Sequence, residues 1–422
     1  MSYHMLWNYI PEHFYKKDND IECVILSPEF SGLFFRFGVL YNLKEMMIID
    51  KYFMQRAIEL AAIGQGKTNP NPLVGAVIVK DNGIIGEGFH ERPGGAHAEV
   101  NAFLNATEPV EGATMYVTLE PCAHYGKTPP CADMIIEKGI KRVVIGIKDP
   151  NPLVAGKGIQ KLLDAGISVD VGILAEECQK QNEVFLKFII EKKPYVILKA
   201  GMSLDGKVAT TSGESQWITS KAARAHVHQL RNNYKGIMVG IDTVIADNPL
   251  LTCRIQGGRD PIRIIVDSRL RIPIDAKVLD MQNESKTIIA TTHLADSEKI
   301  KALQGMGVDI IVTKSINGRV NLESLMTILG EKDIDSILLE GGPTLNYSAL
   351  ESGIVDKVMI YMAPMLIGGK SSKTAVEGEG IRKLSDAIQL EEISCRPMDK
   401  DILLEGYIMR QSTFVNENKG GG

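Results

Sequence analysis

The chain has 422 residues, of which 44% are hydrophobic and 23% are charged, and its formal net charge at pH 7 is -5. This composition is typical of a soluble globular protein, and the length predicts two to three domains. The negative charge and the lack of long basic runs argue against a nucleic-acid-binding protein, and no apolar run is long enough to cross a membrane.

The chain contains 6 cysteines, which are too few for a disulfide scaffold in a protein of this length. This usage favours a reducing compartment, and we expect the protein to be cytoplasmic. Four cysteines stand in unrelated contexts and are expected to be small buried apolar residues: Cys23, Cys178, Cys253 and Cys395.

The first 46 residues show neither helical nor strand periodicity, and they lack the residue order of a secretory signal. We expect residues 1–46 to be an extension with little ordered structure, and the first domain to begin near Met47. Between Ile49 and Ile63 apolar residues recur at helical spacing, and Gly64 follows directly. This pattern predicts an amphipathic helix.

Strand and helix patterns then alternate as far as about residue 190. The predicted strands are 74–79, 83–88, 115–119 and 142–147, and the predicted helices are 98–106, 130–138 and 156–165. Alternation of this kind predicts a three-layer α/β domain.

Two short segments of this domain carry the most informative chemistry. His97-Ala98-Glu99 opens a predicted helix, and Pro121-Cys122 leads to Cys131. Together they supply one imidazole, two thiolates and a carboxylate, which is the set of groups found in zinc deaminases. Three protein ligands leave the fourth position of Zn²⁺ to water, and the metal lowers the pKa of that water towards neutrality. Glu99 would then transfer the protons.

The spacing of the two cysteines departs from the two intervening residues of the common deaminase motif. The residues between Cys122 and Cys131 include His124 and Lys127, and a cation beside the metal suits a phosphorylated substrate. The alternative is a structural zinc site with His124 as its fourth protein ligand. We also expect His97 and both cysteines to lie at helix N-termini, whose positive potential favours thiolates.

Four segments resemble the pyrimidine deaminase domain of the bifunctional riboflavin biosynthesis deaminase/reductases: 68–75, 97–99, 120–131 and 149–152. The resemblance implies a cytidine-deaminase-like α/β/α domain over residues 47–192. It implies that zinc is bound by His97, Cys122 and Cys131 and that Glu99 donates and accepts protons. It further implies a substrate pocket lined by Asn71, His90, His124 and Lys127.

A second α/β domain is predicted after the charged, proline-terminated linker 191–194. Its predicted strands are 195–199, 237–241, 262–267, 287–291, 337–340 and 357–361, and a helix over 222–231 is capped by Thr219 or Ser220. We expect this domain to occupy residues 193–411 and to be followed by a flexible tail, 412–422.

The strongest candidate for a ligand-binding segment in the second domain begins at Glu340. Here a predicted strand is followed by Gly341-Gly342, and Pro343 begins a predicted helix. Glycines permit close approach of a ligand, and a helix N-terminus binds phosphate, although such a junction is often only a tight turn. The segment is not the dinucleotide-binding glycine fingerprint. With its neighbours it resembles the reductase domain of the same family, which has a dihydrofolate-reductase-like fold and uses NADPH.

This resemblance implies two sets of contacts in the second domain. The NADPH set is Gly201, Trp217, Thr243, Asp247, Ser268, Gly342, Pro343, Thr344, Leu345, Asn346 and Tyr347. The substrate set is Lys199, Ser215, Arg231, Leu251, Arg254 and Glu340. Arg231 and Arg254 suit a phosphate. Lys199, Asp205 and Asp247 are polar groups that would aid ribose ring opening, and Arg269 and Arg271 would meet the 2′-phosphate of NADPH.

The resemblance therefore implies a bifunctional enzyme with one Zn²⁺ and NADPH. The deaminase would convert 2,5-diamino-6-ribosylamino-4(3H)-pyrimidinone 5′-phosphate to 5-amino-6-(5-phosphoribosylamino)uracil. The reductase would then reduce the ribosyl group to give 5-amino-6-(5-phosphoribitylamino)uracil. The expected partner is this small phosphorylated pyrimidine, with no nucleic acid or membrane, and the expected assembly is a homo-oligomer.

Other zinc deaminases are the main alternatives. A tRNA adenosine deaminase usually has two residues between its cysteines and a basic face, and neither it nor a free cytidine deaminase accounts for residues 195–410. A chain with one degenerate half is a third alternative, but both halves keep the residues that their motifs require.

Overall fold

The computed structural model describes residues 31–123, 129–151, 155–280 and 285–409. Residue contacts divide the chain into two units, Met1–Asp50 and Lys51–Gly422. None of the helices in the described ranges combines the length and the apolar character that a membrane span requires.

The first helix, α1, spans Ser31–Ala62. It begins inside the segment 1–46, which was expected to have little ordered structure, so the expectation was wrong for residues 31–46. The sequence of this part shows no amphipathic periodicity from which a helix could be predicted. Residues 1–30 and the predicted tail 412–422 lie outside the described residues.

Unit Lys51–Gly422 contains two mixed α/β regions, of which the first is built on a five-stranded sheet. Its strands are β1 (Gly75–Lys80), β2 (Gly83–Phe89), β3 (Thr114–Leu119), β4 (Arg142–Ile147) and β5 (Ser168–Val171), in the order β2-β1-β3-β4-β5. β1 is antiparallel to both of its neighbours, and β3, β4 and β5 are parallel. The helices that follow are α2 (Ala98–Leu104), α3 (Cys131–Glu137), α4 (Lys157–Asp164), α5 (Ala175–Gln181) and α6 (Glu183–Glu191).

Alternate residues of these strands enter two separate cores. Ile78, Val117 and Ile145 pack with residues of α2, α3 and α4 on one face of the sheet. Val77 and Tyr116 pack with residues of α1, α5 and α6 on the other face. Because successive side chains of a strand point to opposite faces, this division gives the predicted three-layer α/β/α domain.

Two strand glycines allow helices to lie directly against the sheet. A Cβ atom on Gly75 would lie 1.9 Å from the carbonyl oxygen of Ala57, and one on Gly88 would lie 2.3 Å from the backbone nitrogen of Ala102. Any side chain at these positions would push α1 or α2 away from the sheet. This close packing places α2 directly against β2, with Glu99 in the first turn of the helix and His97 directly before it.

The second α/β region is built on a nine-stranded sheet. Its strands are β6 (Tyr195–Ser203), β7 (Gly236–Gly240), β8 (Ile262–Val266), β9 (Thr287–Thr292), β10 (Asp309–Thr313), β13 (Ser336–Leu339), β14 (Lys357–Ala363), β15 (Leu390–Met398) and β16 (Asp401–Ile408). The short strands β11 (Ser315–Ile316) and β12 (Arg319–Val320) pair with each other. The helices are α7 (Lys221–Asn233), α8 (Ile241–Asp247), α9 (Ser297–Gly305), α10 (Leu322–Glu331) and α11 (Pro343–Glu351).

The strand order is β10-β9-β8-β7-β13-β6-β14-β16-β15. The strands from β10 to β14 are parallel, and β16 and β15 are antiparallel additions. Helices α10 and α11 pack on one face, and α7 and α9 pack on the other. The carboxyl ends of the parallel strands therefore meet along one edge, where open α/β sheets bind ligands.

The predicted strands all occur with small shifts of their ends, and Ser220 caps α7 by accepting a hydrogen bond from the backbone N–H of Ala223. The hairpin of β15 and β16 had no predicted counterpart, because β15 is largely exposed and lacks the apolar alternation of a half-buried strand. Cys178 and Cys253 are buried as predicted. The prediction for Cys395 was wrong, since this residue is exposed on β15, and Cys23 lies outside the described residues.

Candidate functional site

The first candidate site lies where α2 and α3 begin. His97 directly precedes α2, Cys131 is the first residue of α3, and Cys122 follows β3 in a loop. The three ligand atoms all lie within 4.8 Å of one another. The Nδ1 atom of His97 is 3.2 Å from the Sγ atom of Cys131 and 3.6 Å from that of Cys122.

This donor set fits a zinc ion. With bond lengths of about 2.3 Å to sulfur and about 2.0 Å to nitrogen, tetrahedral ligands lie about 3.5 to 3.8 Å apart. The measured separations of His97 from the two sulfur atoms are close to this range. Three protein ligands are the number found in catalytic zinc sites, which keep one position for water. His124, the residue considered as a fourth ligand, lies outside the described residues, as does Lys127.

One part of the predicted placement differs. Cys122 is not at the start of a helix in the chain, although its sulfur accepts a hydrogen bond of 3.3 Å from the backbone N–H of Cys131, the first residue of α3. Contact with Cys131 and with His97 lowers the pKa of the Cys122 thiol to about 4. The Cys122 sulfur therefore contacts the N-terminus of α3 although the residue is not part of that helix, and this contact favours the thiolate form.

Glu99 lies in the first turn of α2 and is 4% exposed. Burial raises the pKa of its carboxyl group to about 7, and the neighbouring Cys122 contributes in the same direction. A dication held by the three ligands would favour the ionised form of this carboxyl group. Glu99 is thus a buried carboxyl beside the ligand group, and it has the position and chemistry of a proton carrier.

Asn71 and His90 adjoin the same cluster. The Asn71 side-chain nitrogen is 3.1 Å from His90 Nε2, and His90 Nδ1 is 3.0 Å from the carbonyl oxygen of Ala96. Since the carbonyl can only accept, Nδ1 carries the proton and Nε2 accepts from Asn71. Burial lowers the pKa of His90, which favours this neutral form. The centroids of the His90 and His97 rings are 5.8 Å apart, so Asn71 and His90 lie next to the ligand group.

Glu120 is a residue of this site that the sequence did not identify. It is 4% exposed, and its carboxylate accepts hydrogen bonds from the backbone N–H groups of Asp149, Gly156, Gly158 and Ile159. These contacts tie the loop after β4 and the start of α4 to the residue before Pro121-Cys122. The available indication was the position of this acidic residue directly before the metal-ligand motif.

The second candidate site is a cleft of about 1370 Å³ at the carboxyl edge of the large sheet. Its lining includes residues from the ends of β6, β7, β8 and β13. Almost every residue predicted for this domain lines the cleft: Lys199, Gly201, Ser215, Trp217, Arg231, Thr243, Asp247, Leu251, Arg254, Ser268, Glu340 and the run 342–346. Residues that the family resemblance implies, and that are far apart in the chain, therefore line one cleft in the fold.

Two predicted residues lie elsewhere. The Tyr347 side chain does not line this cleft, and its hydroxyl is within hydrogen-bond distance of Glu351 and of the Gly380 carbonyl. Asp205 holds a loop, because its carboxylate accepts the backbone N–H groups of Ile367 and Gly368. Tyr347 is one residue past Asn346 on α11, and the helical turn directs it away from the cleft.

A buried ion triad forms the floor of the cleft. The Glu340 carboxylate is 2.9 Å from Lys199 Nζ and 2.7 Å from Arg231 Nε, and a second Arg231 nitrogen is 3.0 Å from it. Burial alone would raise the pKa of Glu340, but the charges of Lys199 and Arg231 outweigh it and hold that pKa well below its usual range. The triad therefore keeps three charged groups fixed beneath the cleft.

The start of α11 forms another wall of the cleft. Gly342 caps this helix and Pro343 opens it, so the free N–H groups of its first turn face the cleft edge. A Cβ atom on Gly341 would lie 2.6 Å from the side-chain oxygen of Asn346. That buried oxygen has no hydrogen-bond partner in the described residues. The glycines and the helix end together form a cradle that fits a phosphate group.

Further basic side chains line the cleft. Arg269 and Arg271 are both present, and Arg271 pairs with Asp242 at 2.6 Å. The sequence did not identify Arg224, which lies 4.3 Å from the Trp217 ring centre, nor His228, which also lines the cleft. Both are on α7, seven and three residues before Arg231, and helical spacing from Arg231 was the available indication.

Comparison with known families gives two matches. The model described as the cytidine and deoxycytidylate deaminase zinc-binding region matches residues 47–147. The model described as the RibD C-terminal domain matches residues 194–404. The first range contains the His97 cluster, and the second contains the cleft.

Full-length relatives agree with these matches. The riboflavin biosynthesis protein RibD of Actinobacillus pleuropneumoniae is 52% identical over 87% of this chain and 97% of its own length. The RibD protein of Escherichia coli strain K12 is 42% identical over 84% of this chain and 98% of its own length.

Solved structures show the same similarity. Acinetobacter baumannii RibD, form 1, has a TM-score of 0.76 at 40% identity and covers 86% of this chain and 100% of its own. The diaminohydroxyphosphoribosylaminopyrimidine deaminase/5-amino-6-(5-phosphoribosylamino)uracil reductase of Thermotoga maritima has a TM-score of 0.76 at 38% identity, with the same coverage of both chains. The similarity thus spans both candidate sites.

Proposed function

Since the chain belongs to the RibD family of riboflavin biosynthesis proteins and is a bifunctional deaminase and reductase, we propose which of its residues carry each reaction. The deaminase is assigned to residues 47–192 and the reductase to residues 193–411. The observation that carries this assignment is the separation of two different sites in one chain. The His97, Cys122 and Cys131 cluster lies on the first sheet, and the cleft above Glu340 lies on the second.

The first reaction replaces the 2-amino group of 2,5-diamino-6-ribosylamino-4(3H)-pyrimidinone 5′-phosphate with oxygen and gives 5-amino-6-(5-phosphoribosylamino)uracil. His97, Cys122 and Cys131 would hold a zinc ion, which when bound makes a water molecule acidic enough to serve as nucleophile near pH 7. Glu99 takes a proton from the attacking water and gives one to the departing amino group.

Other groups of the first site hold the substrate. Asn71 lies beside the ligand group and would offer its amide group to the pyrimidine edge, while His90 would line the pocket and hold Asn71 through Nε2. Because His90 donates through Nδ1 to the Ala96 carbonyl, its orientation is set before substrate arrives. His124 and Lys127 are proposed from the family resemblance as further contacts to the polar edge or phosphate.

The second reaction opens the ribosyl ring and reduces its C1′ atom to give 5-amino-6-(5-phosphoribitylamino)uracil. A reduced nicotinamide cofactor bound in the cleft would supply the hydride. Lys199 is held by the ionised Glu340 carboxylate at 2.9 Å and is placed to give or take a proton while the ring opens, and Glu340 would be a substrate contact. Arg254 would bind the substrate phosphate, with Arg231, Ser215 and Leu251 as neighbouring contacts.

The cofactor is proposed to be NADPH. The start of α11, from Gly342 to Asn346, suits its pyrophosphate because helix N–H groups and glycines allow close approach. Gly201, Trp217, Thr243, Asp247 and Ser268 would complete its binding, as other cleft-lining residues. Arg269 and Arg271 would select the 2′-phosphate that distinguishes NADPH from NADH. Homo-oligomer formation and a cytoplasmic location remain predictions.

The test uses the purified full-length chain with the diaminopyrimidine ribosylamino phosphate. We expect release of ammonia that depends on zinc, followed by oxidation of NADPH when the cofactor is added. NADPH should be oxidised with a higher kcat/KM than NADH. A protein that contains zinc but releases no ammonia from this compound would contradict the assignment.

A further inference from the structure

A loop of the deaminase contacts the reductase through one specific hydrogen bond. The side-chain nitrogen of Asn69 donates to the Oδ2 atom of Asp335 at 2.7 Å, across 266 positions of the chain. Asn69 follows α1 in the deaminase, whereas Asp335 directly precedes β13 in the reductase. Asp335 is 1% exposed, so its carboxylate is available to few partners.

The reductase holds Asp335 firmly. Its Oδ1 atom accepts a hydrogen bond of 2.6 Å from the Ser336 hydroxyl, and its backbone carbonyl accepts one of 2.7 Å from the N–H of Tyr195 at the start of β6. The Ser336 hydroxyl oxygen in turn accepts the backbone N–H of Lys235 at 3.0 Å. Two neighbouring parallel strands therefore fix the position of the carboxylate that Asn69 contacts.

A second contact holds the same loop. Gly66 has a φ angle of +76°, and a Cβ atom at this position would lie 2.8 Å from the backbone oxygen of Asn232. Asn232 is in the last turn of α7, the helix that also carries Arg231. The loop between α1 and β1 thus lies close against the reductase at Gly66 and is hydrogen-bonded to it at Asn69.

Short contacts continue from this loop to the zinc-ligand cluster. The backbone N–H of Asn71 donates to the carbonyl of Thr68 at 2.8 Å, which closes a turn around Asn69. The Asn71 side chain contacts His90, and His90 contacts the carbonyl of Ala96, the residue before the ligand His97. A displacement at Asn69 would therefore move Asn71 relative to the pyrimidine.

We propose that Asp335 of the reductase domain is a positioning residue for deamination, which holds Asn69 so that Asn71 faces the substrate. The proposal rests on the proposed function of Asn71 at the deaminase site. Asp335 touches neither the substrate nor the metal ligands in this account and acts only through the loop. A misplacement of about 1 Å in a binding group can cost up to about a hundredfold in rate, so one hydrogen bond is sufficient to matter.

A second contact between the two domains serves as a control, because it distinguishes positioning of the loop from general stabilisation of the domain interface. Lys187 of α6 pairs with Asp356 at 2.6 Å, and their side chains are 11% and 7% exposed. This pair also joins the end of the deaminase to the reductase, but it does not touch the loop that carries Asn71. Loss of either contact would weaken the association of the two domains, but of these two contacts only the one between Asn69 and Asp335 would change the position of the loop.

The experiment measures ammonia release by the full-length zinc-loaded enzyme, with kcat and KM determined separately. For Asn69→Ala we expect KM for the diaminopyrimidine phosphate to rise about tenfold, with zinc content unchanged. Asn69→Asp should be at least as impaired, because it places a second carboxylate against Asp335. The double variant Asn69→Asp with Asp335→Asn should recover most of the loss, because the amide at 335 can donate to the carboxylate at 69.

Controls are available in the same chain. Lys187→Met should leave the deaminase KM near the wild-type value, and NADPH oxidation with the deaminated intermediate should be unchanged in Asn69→Ala. An unchanged KM in Asn69→Ala, a loss of zinc in that variant, an equal loss in Lys187→Met, or no recovery in the double variant would overturn the proposal. Failure of the wild-type enzyme to release ammonia would instead overturn the proposed function.

Discussion

The two sites of this chain are built in opposite ways. The deaminase site gathers three ligand atoms within 4.8 Å, with the buried carboxyl group of Glu99 beside them. The reductase site is a cleft of about 1370 Å³, lined by many polar and basic side chains from several strand ends. The first concentrates its chemistry in four side chains, and the second distributes binding over a large surface.

This difference predicts different sensitivity to substitution. The protein would supply three ligands to the ion, so the loss of any one of them should abolish zinc binding and with it the deaminase activity. A cleft residue contributes only part of the binding free energy of a large cofactor and substrate, so its loss should reduce the activity by a limited factor. Because both sites lie in one chain, each activity is the folding control for the other.

The largest effect is expected from removal of the metal ligands. Cys122→Ser should abolish zinc binding and ammonia release, and chelation of the wild-type enzyme should do the same until zinc is restored. NADPH oxidation with the deaminated intermediate should continue in both cases. Metal analysis and the two assays on one preparation provide the check. If reduction disappears together with deamination, the two sites are not independent.

The next effect concerns the buried carboxyl group. Glu99→Gln should lower the deaminase kcat about a thousandfold, because the amide can neither take nor give the proton. Zinc content should remain at the wild-type level, since Glu99 is not a ligand. Ammonia release is measured with zinc determined in the same sample. Full activity in this variant would support a purely structural zinc site.

A smaller effect is expected at the centre of the cleft. Glu340→Gln removes the anion that lies between Lys199 and Arg231, at 2.9 Å and 2.7 Å. The reductase kcat/KM should fall by about ten- to a hundredfold, because both cations lose the partner that orients them. Deamination should be unchanged. Steady-state NADPH oxidation with the deaminated intermediate measures this, and a change confined to ammonia release would contradict the assignment.

The smallest effect is expected at the cleft edge. Arg271→Ala should reduce the preference for NADPH over NADH by about tenfold, since the exposed guanidinium is proposed to meet only the 2′-phosphate. The exposed Arg396 on β15 pairs with Glu405 outside the cleft, so Arg396→Ala is the matched control. The ratio of kcat/KM for the two cofactors is the readout, and an unchanged ratio in Arg271→Ala would remove this residue from the cofactor site.

The contrast between the sites also explains how much the sequence could predict. His97, Cys122 and Cys131 were identified because few other roles require these residue types in this order. Ser220 was identified as a helix cap from local chemistry. Residues of the cleft such as Gly201 and Leu251 have no chemistry of their own that marks them, and they entered only through family resemblance.

Other features depend on tertiary structure that no local pattern encodes. The four hydrogen bonds of Glu120 come from the loop after β4 and from the start of α4, 29 to 39 residues away in the chain. The contact of Asn69 with Asp335 joins positions 266 residues apart, so only the packing of two sheets reveals it. The exposed strand β15 is paired on one side by β16, and backbone pairing leaves no signature in its side chains.

We propose that the two separate sites act in a fixed order, with deamination first. NADPH absorbance is followed when Glu99→Gln is given the undeaminated diaminopyrimidine ribosylamino phosphate. We expect no oxidation by the variant, oxidation by the wild-type enzyme, and recovery in the variant when the deaminated intermediate is added. Oxidation of NADPH by Glu99→Gln with the undeaminated compound would show that reduction does not require deamination, and it would contradict the order.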